Sequence, residues 1–443
     1  MLKEFRNVKV NYEGDALVEF NQKTYKIHDC IEGEDILVEM NGKYPTLAKI
    51  VKPSLERIYD GCPFQKDCGG CQFMHMNYPY EIQQKTAYLQ ELFKGIKGIP
   101  PIEVLPNFEF YHYRNKSQMT YKLSKTKKVV CGFYEEYSHR LVPVSDCMLQ
   151  SKASNKVILE LNKILSKHKI RPYDEATRTG VLRHVFVRYG FQTKELMLIL
   201  VTNGEMFPGR NNVVKDLLKL DLNITTILQN YNARDTSIVL GDRNKVLYGP
   251  GFIYEKVGDY KFKISPNSFF QVNSLGMKKL YTLALEKANI QKTDIVLDAY
   301  CGVGTISIFA SKYAKEVIGV ELNKQAVVDA NQNARINQIH NIQFICDDAT
   351  NYMTHAAKDR AKFDVVIMDP PRDGSTPQFI NAIGYLKPKK VIYVSCNPVT
   401  LKRDLMLFRD LDYKIEFITG VDNFPKTKHI EVVCTMQLRQ NKN

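Results

Sequence analysis

The sequence contains no tryptophan, so stacking on a planar ligand has to come from tyrosine, phenylalanine, histidine or arginine. No run approaches the roughly 18 uninterrupted apolar residues of a spanning helix, which excludes a helical membrane protein. The amino terminus, Met1-Leu-Lys-Glu-Phe-Arg6, lacks an apolar core. A secretory signal is therefore not expected, and the cytoplasm is the expected compartment. Acid is also in short supply: 48 Asp and Glu stand against 62 Lys and Arg, a formal net charge of +14. Such a surplus suits a polyanionic partner, nucleic acid above all. Nothing calls for a membrane or an obligate protein partner. What is present, 44% hydrophobic and 25% charged residues over 443 positions, is ordinary for a globular chain of two or three domains. The ten cysteines stand out. In a reducing compartment they argue for metal binding or catalysis rather than disulfides.

Residues 1–54 read as a small β-barrel of OB-like type. Short alternating runs at 16–20, 23–27, 35–39 and 46–51 are separated by the turn formers Glu13-Gly14-Asp15, Asn21, Glu32-Gly33 and Asn41-Gly42. Residues 55–262 read as an α+β region, with helices expected at 80–93, 151–168 and 211–220 and strands at 181–189, 196–202 and 226–230. Within it, Tyr111-His-Tyr-Arg-Asn-Lys116 interleaves aromatic and basic groups, which suits stacking on bases and pairing with phosphates. Near its start lies Cys62-Pro-Phe-Gln-Lys-Asp-Cys68-Gly-Gly-Cys71. Three thiols in so short a stretch suggest a metal centre that needs a fourth ligand. Cys131 and Cys147 are the candidates; Cys147 is preferred because it follows a turn-like segment, whereas Cys131 lies in an apolar run. One close pair with a flanking and a distant partner favours an iron–sulfur cluster over zinc.

Residues 263–443 alternate strands with helices, which predicts a Rossmann-like, doubly wound parallel sheet. Ile295-Val-Leu-Asp298-Ala-Tyr300 runs into the glycine turn Cys301-Gly302-Val303-Gly304, and a second strand ends at Glu321. That pattern binds an adenosine-containing cofactor. The turn lacks the third glycine of a dinucleotide site. Asp298 beside it would repel a pyrophosphate but suits the ammonium and sulfonium of S-adenosylmethionine (SAM). Strands at 342–345 and 363–369 follow, the latter ending in Asp369-Pro-Pro371. Val391-Ile-Tyr-Val-Ser-Cys396-Asn-Pro398 then presents a thiol at the carboxyl end of a buried strand, the ligand edge of such a sheet. Cys301 and Cys346 read as packing residues, Cys30 and Cys434 as structural.

Taken together, these motifs resemble those of the SAM-dependent RNA uracil-C5 methyltransferases, which make 5-methyluridine in ribosomal and transfer RNA. The resemblance covers nearly the whole chain: the amino-terminal barrel (a TRAM domain in that family), the cysteine cluster, Phe269-Phe-Gln271-Val-Asn273, the Asp298–Gly304 loop, Asp369-Pro-Pro-Arg372, Ser395-Cys-Asn-Pro398 and His429-Ile-Glu431. Thr305 departs from the asparagine of some members. The resemblance implies a [4Fe-4S] cluster on Cys62, Cys68, Cys71 and Cys147. It implies SAM contacts from Gln271, Tyr300, Glu321 and Asp369, with Asp348 near the adenine. It implies Cys396 as nucleophile and Glu431 as general base, acting on 23S ribosomal RNA as first expectation and transfer RNA as second.

The residue types suit that chemistry. Uracil C5 is a poor nucleophile until a thiolate adds to C6, and covalent addition splits one hard step into two easier ones. The site is therefore expected to lower the Cys396 pKa. A carboxylate must then remove the C5 proton, and the base must leave its stack to be reached, with Phe269 or Phe270 filling the gap. Two other readings remain open on the residues alone: methylation of an exocyclic base amine at Asp369-Pro-Pro371, and a non-catalytic iron–sulfur RNA-binding protein. The Cys-x5-Cys-x2-Cys spacing differs from that of radical-SAM enzymes.

Overall fold

The computed structural model describes residues 1–439 apart from 42–43, 60, 136–137, 139 and 237; Gly42 of the expected Asn41-Gly42 turn lies outside the described residues. In the amino-terminal part, strands Leu2–Phe5, Asp35–Glu39 and Thr46–Lys52 form one antiparallel sheet and Ala16–Phe20 with Lys23–Ile27 a separate hairpin. Their alternating inward residues, Ala16, Val18, Ile27, Ile36 and Val38, meet in one small core. Among the described residues, the expected barrel is thus two small sheets facing each other. Period-two alternation specifies a buried face but not whether the hydrogen-bonding edges join.

The middle region is built on a seven-stranded sheet in the order Arg243–Tyr248, Ile224–Tyr231, Leu196–Thr202, Leu182–Tyr189, Lys116–Leu123, Val129–Tyr134, Leu141–Pro143. Leu196–Thr202 and Ile224–Tyr231 run parallel and the other pairs antiparallel. Leu196–Thr202 is buried along its whole length. On one face the helices Lys152–Lys167 and Arg210–Leu217 cover Leu198 and Leu200. On the other, Phe186, Met197, Ile199 and Val201 share a core with Met277, Val296 and Ile367 of the carboxy-terminal part. The hairpin Ile253–Val257 and Tyr260–Ile264 packs into that same core.

The carboxy-terminal sheet has eight strands, in the order Ile342–Cys346, Glu316–Glu321, Ile295–Ala299, Val365–Met368, Lys390–Ser395, Glu431–Leu438, Tyr413–Val421, Val104–Leu105. The first five are parallel, as alternation with helices requires. The expectation of a wholly parallel sheet fails beyond them: Glu431–Leu438 inserts antiparallel between Lys390–Ser395 and Tyr413–Val421. A hairpin needs no crossover helix, and both its strands bury apolar residues: Ile418, Val421, Val432, Val433, Cys434 and Met436. The helix Tyr78–Phe93, capped by Asn77 and started by Pro79, buries Leu89 and Phe93 in this carboxy-terminal core. Cys30, Cys301 and Cys434 are buried, but Cys346 ends an edge strand and is exposed. Among the described residues, no helix is long and apolar enough to cross a membrane.

Candidate active site

Strand Lys390–Ser395 delivers Cys396 to the end of the sheet. Asn397 then caps the helix Pro398–Asp410 by accepting from the Val399 N–H at 3.1 Å, while its amide donates to the Arg372 carbonyl at 2.9 Å. The thiol is half-buried and the Asp369-Pro-Pro-Arg372 loop is tied against it. Antiparallel pairing brings the second group. Ser395 is the register partner of Val432, so one step further Cys396 faces Glu431. Glu431 is only 1% exposed, and its Oε2 is buried without a hydrogen-bond partner. Residues 35 positions apart in sequence thus converge through register, and a surface position for Glu431 is excluded.

The site is electrostatically poised against ionisation. Burial pushes the Cys396 thiol up to about 11, helped by the charges of Glu431 and Asp369 and opposed by Arg372. The expected lowering of this pKa is therefore not found. Burial raises Glu431 to about 7 against the pull of Arg372. It raises Asp369 well above the carboxylate range, with Glu431 and Asp298 adding to it. Asp298, fully buried, rises to about 7 by burial, although the Ser307 hydroxyl and N–H hold it down. The exposed Arg372, which sequence reasoning treated only as part of a motif, is the cation that favours both the thiolate and the carboxylate.

A pH dependence of stability follows. Glu431 and Asp298 titrate near 7 when folded but near 4 to 4.5 when unfolded. Between those values the folded state binds more protons, so stability falls as pH rises from about 4.5 to 7 and stays low above. Each group contributes a few kcal/mol to that fall, to order of magnitude. Glu431→Gln is therefore expected to unfold at a higher temperature than wild type at pH 8 but not at pH 5. Calorimetry of the ligand-free proteins checks this, and equal differences at both pH values would contradict it.

The glycine turn lies beside these carboxylates. Tyr300 (φ +66°), Gly302 (φ +57°) and Gly304 (φ +78°) all adopt left-handed backbone. At Gly304 a Cβ would meet Phe344 at 2.6 Å, so only glycine fits; at Gly302 it would meet nothing within 4 Å, leaving an open cradle. Glu321 accepts from the Gly302 N–H at 3.0 Å and from the Asn323 N–H at 2.7 Å. The Tyr300 hydroxyl lies 3.3 Å from that of Ser375. Gln271 is held by Asn115, whose amide donates to its carbonyl at 2.8 Å, and its side chain reaches the buried Tyr281 hydroxyl. Buried acceptor oxygens without a partner, Asp298 Oδ1 and Glu431 Oε2, and an open glycine cradle fit a cationic, adenosine-containing cofactor. Asp348 sits differently: it caps the helix Ala349–Lys358, accepting from the Thr350 and Asn351 N–H groups at 2.9 and 3.0 Å.

The four thiols Cys62, Cys68, Cys71 and Cys147 lie near one another. Burial raises the pKa of the first three, and the charge of Cys147 raises each of them further. Cys131 lies apart in the core of the middle sheet and accepts from the Asn162 amide at 3.2 Å. Among the described residues, no three Cys, His, Asp or Glu side chains converge at the spacing of one metal ion.

The segment leading to Glu431 is clamped from the amino-terminal half, which no sequence signal indicated. Buried Lys85 donates to Glu81 at 2.8 Å and to Asp422 at 2.7 Å. Tyr78 donates to Asp422 at 2.8 Å, and Glu81 accepts the Lys426 N–H at 2.7 Å. Beside the cysteine loop, Phe73 N–H donates to the Lys426 carbonyl at 3.1 Å and the Gln72 side chain accepts from the Lys428 N–H at 3.3 Å.

A cofactor-type α/β sheet, closed by an antiparallel hairpin that brings a buried carboxylate to the end of the strand carrying a thiol, defines a group-transfer enzyme. The family described as tRNA (uracil-5-)-methyltransferase matches residues 242–440. An uncharacterized RNA methyltransferase of Halalkalibacterium halodurans is 38% identical over 92% of this chain and 90% of its own length. One of Staphylococcus aureus is 35% identical over 98% and 97%. The structure of Pyrococcus abyssi tRNA (uracil-54, C5)-methyltransferase in complex with S-adenosyl-L-homocysteine is similar over 97% of this chain and 99% of that one, with TM-score 0.77 and 28% identity. The chain belongs to the RNA uracil-C5 methyltransferase family. It is a SAM-dependent enzyme that methylates C5 of uracil in RNA.

Proposed function

We propose that the chain methylates a specific uridine of 23S ribosomal RNA through a covalent adduct between Cys396 and C6, with Glu431 as the base that removes the C5 proton. The observation that carries the reading is the register that sets the buried Glu431 opposite Cys396. Bound SAM supplies a methyl group on a sulfonium. Around it, Glu321 offers acceptor oxygens to the ribose hydroxyls, and Gln271, Tyr300 and Asp369 complete the pocket, with Asp348, the cap of the helix Ala349–Lys358, near the adenine. Arg372 favours the Cys396 thiolate. Phe269, 64% exposed, is the residue free to fill the place of a flipped base, while Phe270 is buried in the core. The domains proposed are 1–54, 55–262 and 263–443, in the cytoplasm. Mapping modified uridines by mass spectrometry in RNA from cells with and without the gene tests the substrate. Loss of 5-methyluridine from transfer RNA alone would replace ribosomal RNA by the second candidate.

The four-cysteine centre fits a [4Fe-4S] cluster. What supports it is that the charge of Cys147 acts on each of Cys62, Cys68 and Cys71, and four thiolates are the usual ligand set of such a cluster. Anaerobically purified protein is expected to be brown and to carry about four iron atoms with acid-labile sulfide. Stoichiometric zinc without iron would contradict this, and Cys131→Ala is expected to leave the iron content unchanged.

A further inference from the structure

The middle sheet carries a charge arrangement that folding alone does not explain. Lys116 and Arg188 are direct cross-strand partners in the antiparallel pair Lys116–Leu123 and Leu182–Tyr189. Like charges placed opposite one another destabilise a sheet. Lys116 hangs over the Phe186 ring at 5.5 Å and forms no salt bridge among the described residues. Arg188, 5% exposed, donates to the Pro266 and Ser268 carbonyls at 3.1 and 2.6 Å and leaves its Nε buried without a partner. The acid whose charge reaches Arg188 is Asp329. That carboxylate already accepts from Ser265 at 2.9 Å and from Ser268, with Lys263 at 3.9 Å.

The surroundings place these cations beside the active site. Arg188 braces the loop that runs into Phe269 and Gln271. Asn115, between Arg114 and Lys116, donates through its N–H to Val272 at 2.7 Å and through its side chain to Gln271 at 2.8 Å. Burial, Arg188 and Arg114 together press the Lys116 ammonium down to about 8. The charge of Arg114 also acts on Cys71 and on His429, where Arg372 and Lys428 act as well. Through Arg114 these cations thus act on both the cysteine loop and His429, two positions before Glu431. Several cations suit a strand, which presents one phosphate per nucleotide; the single carboxylate of a cofactor would answer one and leave the rest.

We propose that Lys116, with Arg114 and Arg188 behind it, seats a phosphodiester of the RNA strand flanking the target uridine. The proposal rests on RNA as the substrate. An unpaired, half-buried ammonium weakens the free protein and is repaid only when the anion arrives, the usual conflict between stability and function.

RNA affinity measured against salt for wild type, Lys116→Met and Lys116→Arg tests the proposal, with S-adenosyl-L-homocysteine binding and thermal unfolding recorded for each. With about five phosphate contacts on single-stranded RNA, the wild-type log–log slope is expected near −3.5. Lys116→Met is expected to bind about tenfold more weakly, the size of one charge-assisted hydrogen bond, with a slope shallower by about 0.7. It should bind S-adenosyl-L-homocysteine normally and unfold, without RNA, at or above the wild-type temperature. Lys116→Arg should keep the wild-type slope. Unchanged RNA affinity and slope in Lys116→Met would overturn the subsite while leaving RNA as substrate. Loss of S-adenosyl-L-homocysteine binding with RNA binding intact would overturn it in favour of the cofactor carboxylate. A wild-type protein that fails to bind RNA would overturn the substrate reading together with the subsite.

Discussion

Glu431→Gln enzyme, incubated with its RNA and methyl-labelled SAM, is expected to accumulate a protein–RNA adduct that survives a denaturing gel and carries the label. Cys396→Ala is expected to form none. The two groups lie one position beyond the Ser395–Val432 pair, and the charge of Glu431 acts on Cys396, yet under the proposed mechanism they act at different steps. Without the thiol nothing adds to C6, and C5 never gains the negative character that takes a methyl group. With the thiol but no base, addition and transfer proceed, and the reaction stops with the proton still on C5, because an amide accepts no proton. Loss of a positioned base lowers turnover by roughly 10²- to 10⁴-fold. The buried carboxylate is nearly isosteric with an amide, and its Oε2 has no partner to lose, so the variant is expected to fold. Near-normal turnover by Glu431→Gln would assign proton removal to another group. A labelled adduct with Cys396→Ala would remove this thiol from the reaction and direct attention to Cys301, which burial and the nearby carboxylates make a much poorer nucleophile.

The second large effect is expected at Lys85, far from Cys396 in sequence. Its ammonium is fully buried between Glu81 and Asp422 at 2.8 and 2.7 Å. Lys85→Met leaves two carboxylates facing each other; among the described residues, the Lys426 ammonium 3.5 Å from Glu81 and the Tyr78 hydroxyl on Asp422 remain to offset them. Breaking a buried ion pair from one side costs about 3–5 kcal/mol. The cost should be felt in the segment 422–430, which these bonds hold in place before Glu431. Chemical denaturation is expected to show the full loss. Hydrogen exchange should show it concentrated in 422–430 and in the helix Tyr78–Phe93. Replacing all three partners together, as Lys85→Met with Glu81→Gln and Asp422→Asn, is expected to recover much of the stability, because no buried charge is then left alone. Unaltered stability of Lys85→Met alone would mean that water reaches the network.

Most carboxy-terminal strands were legible because they read as apolar runs stopped by Gly, Asp, Asn or Pro, and the parallel ones lie where alternation with helices places them. The hairpin Tyr413–Val421 and Glu431–Leu438 was not. It breaks the alternation, and an apolar run does not state its direction in a sheet. The middle region was only partly legible: in Lys116–Leu123 the buried positions include the polar Ser117 beside Met119 and Tyr121, so the apolar face is short and stands out only once its partners are known. Lys85 looks like any surface lysine on a helix, and its burial depends on two residues more than 300 positions away, Asp422 and Lys426.

By itself the sequence determined the type of chemistry: a thiol ending a buried strand, a glycine turn between Asp298 and Glu321, three close cysteines and a basic surplus. These signals are local, and local spacing fixes which donors and nucleophiles a short stretch can present. Only the tertiary structure decided what those groups meet. Antiparallel register put Glu431 across from Cys396, burial raised both of their pKa values instead of lowering that of the thiol, and cross-strand pairing set Lys116 against Arg188. Electrostatic energy depends on distance and on removal from water, and both are set by contacts between residues far apart in the chain.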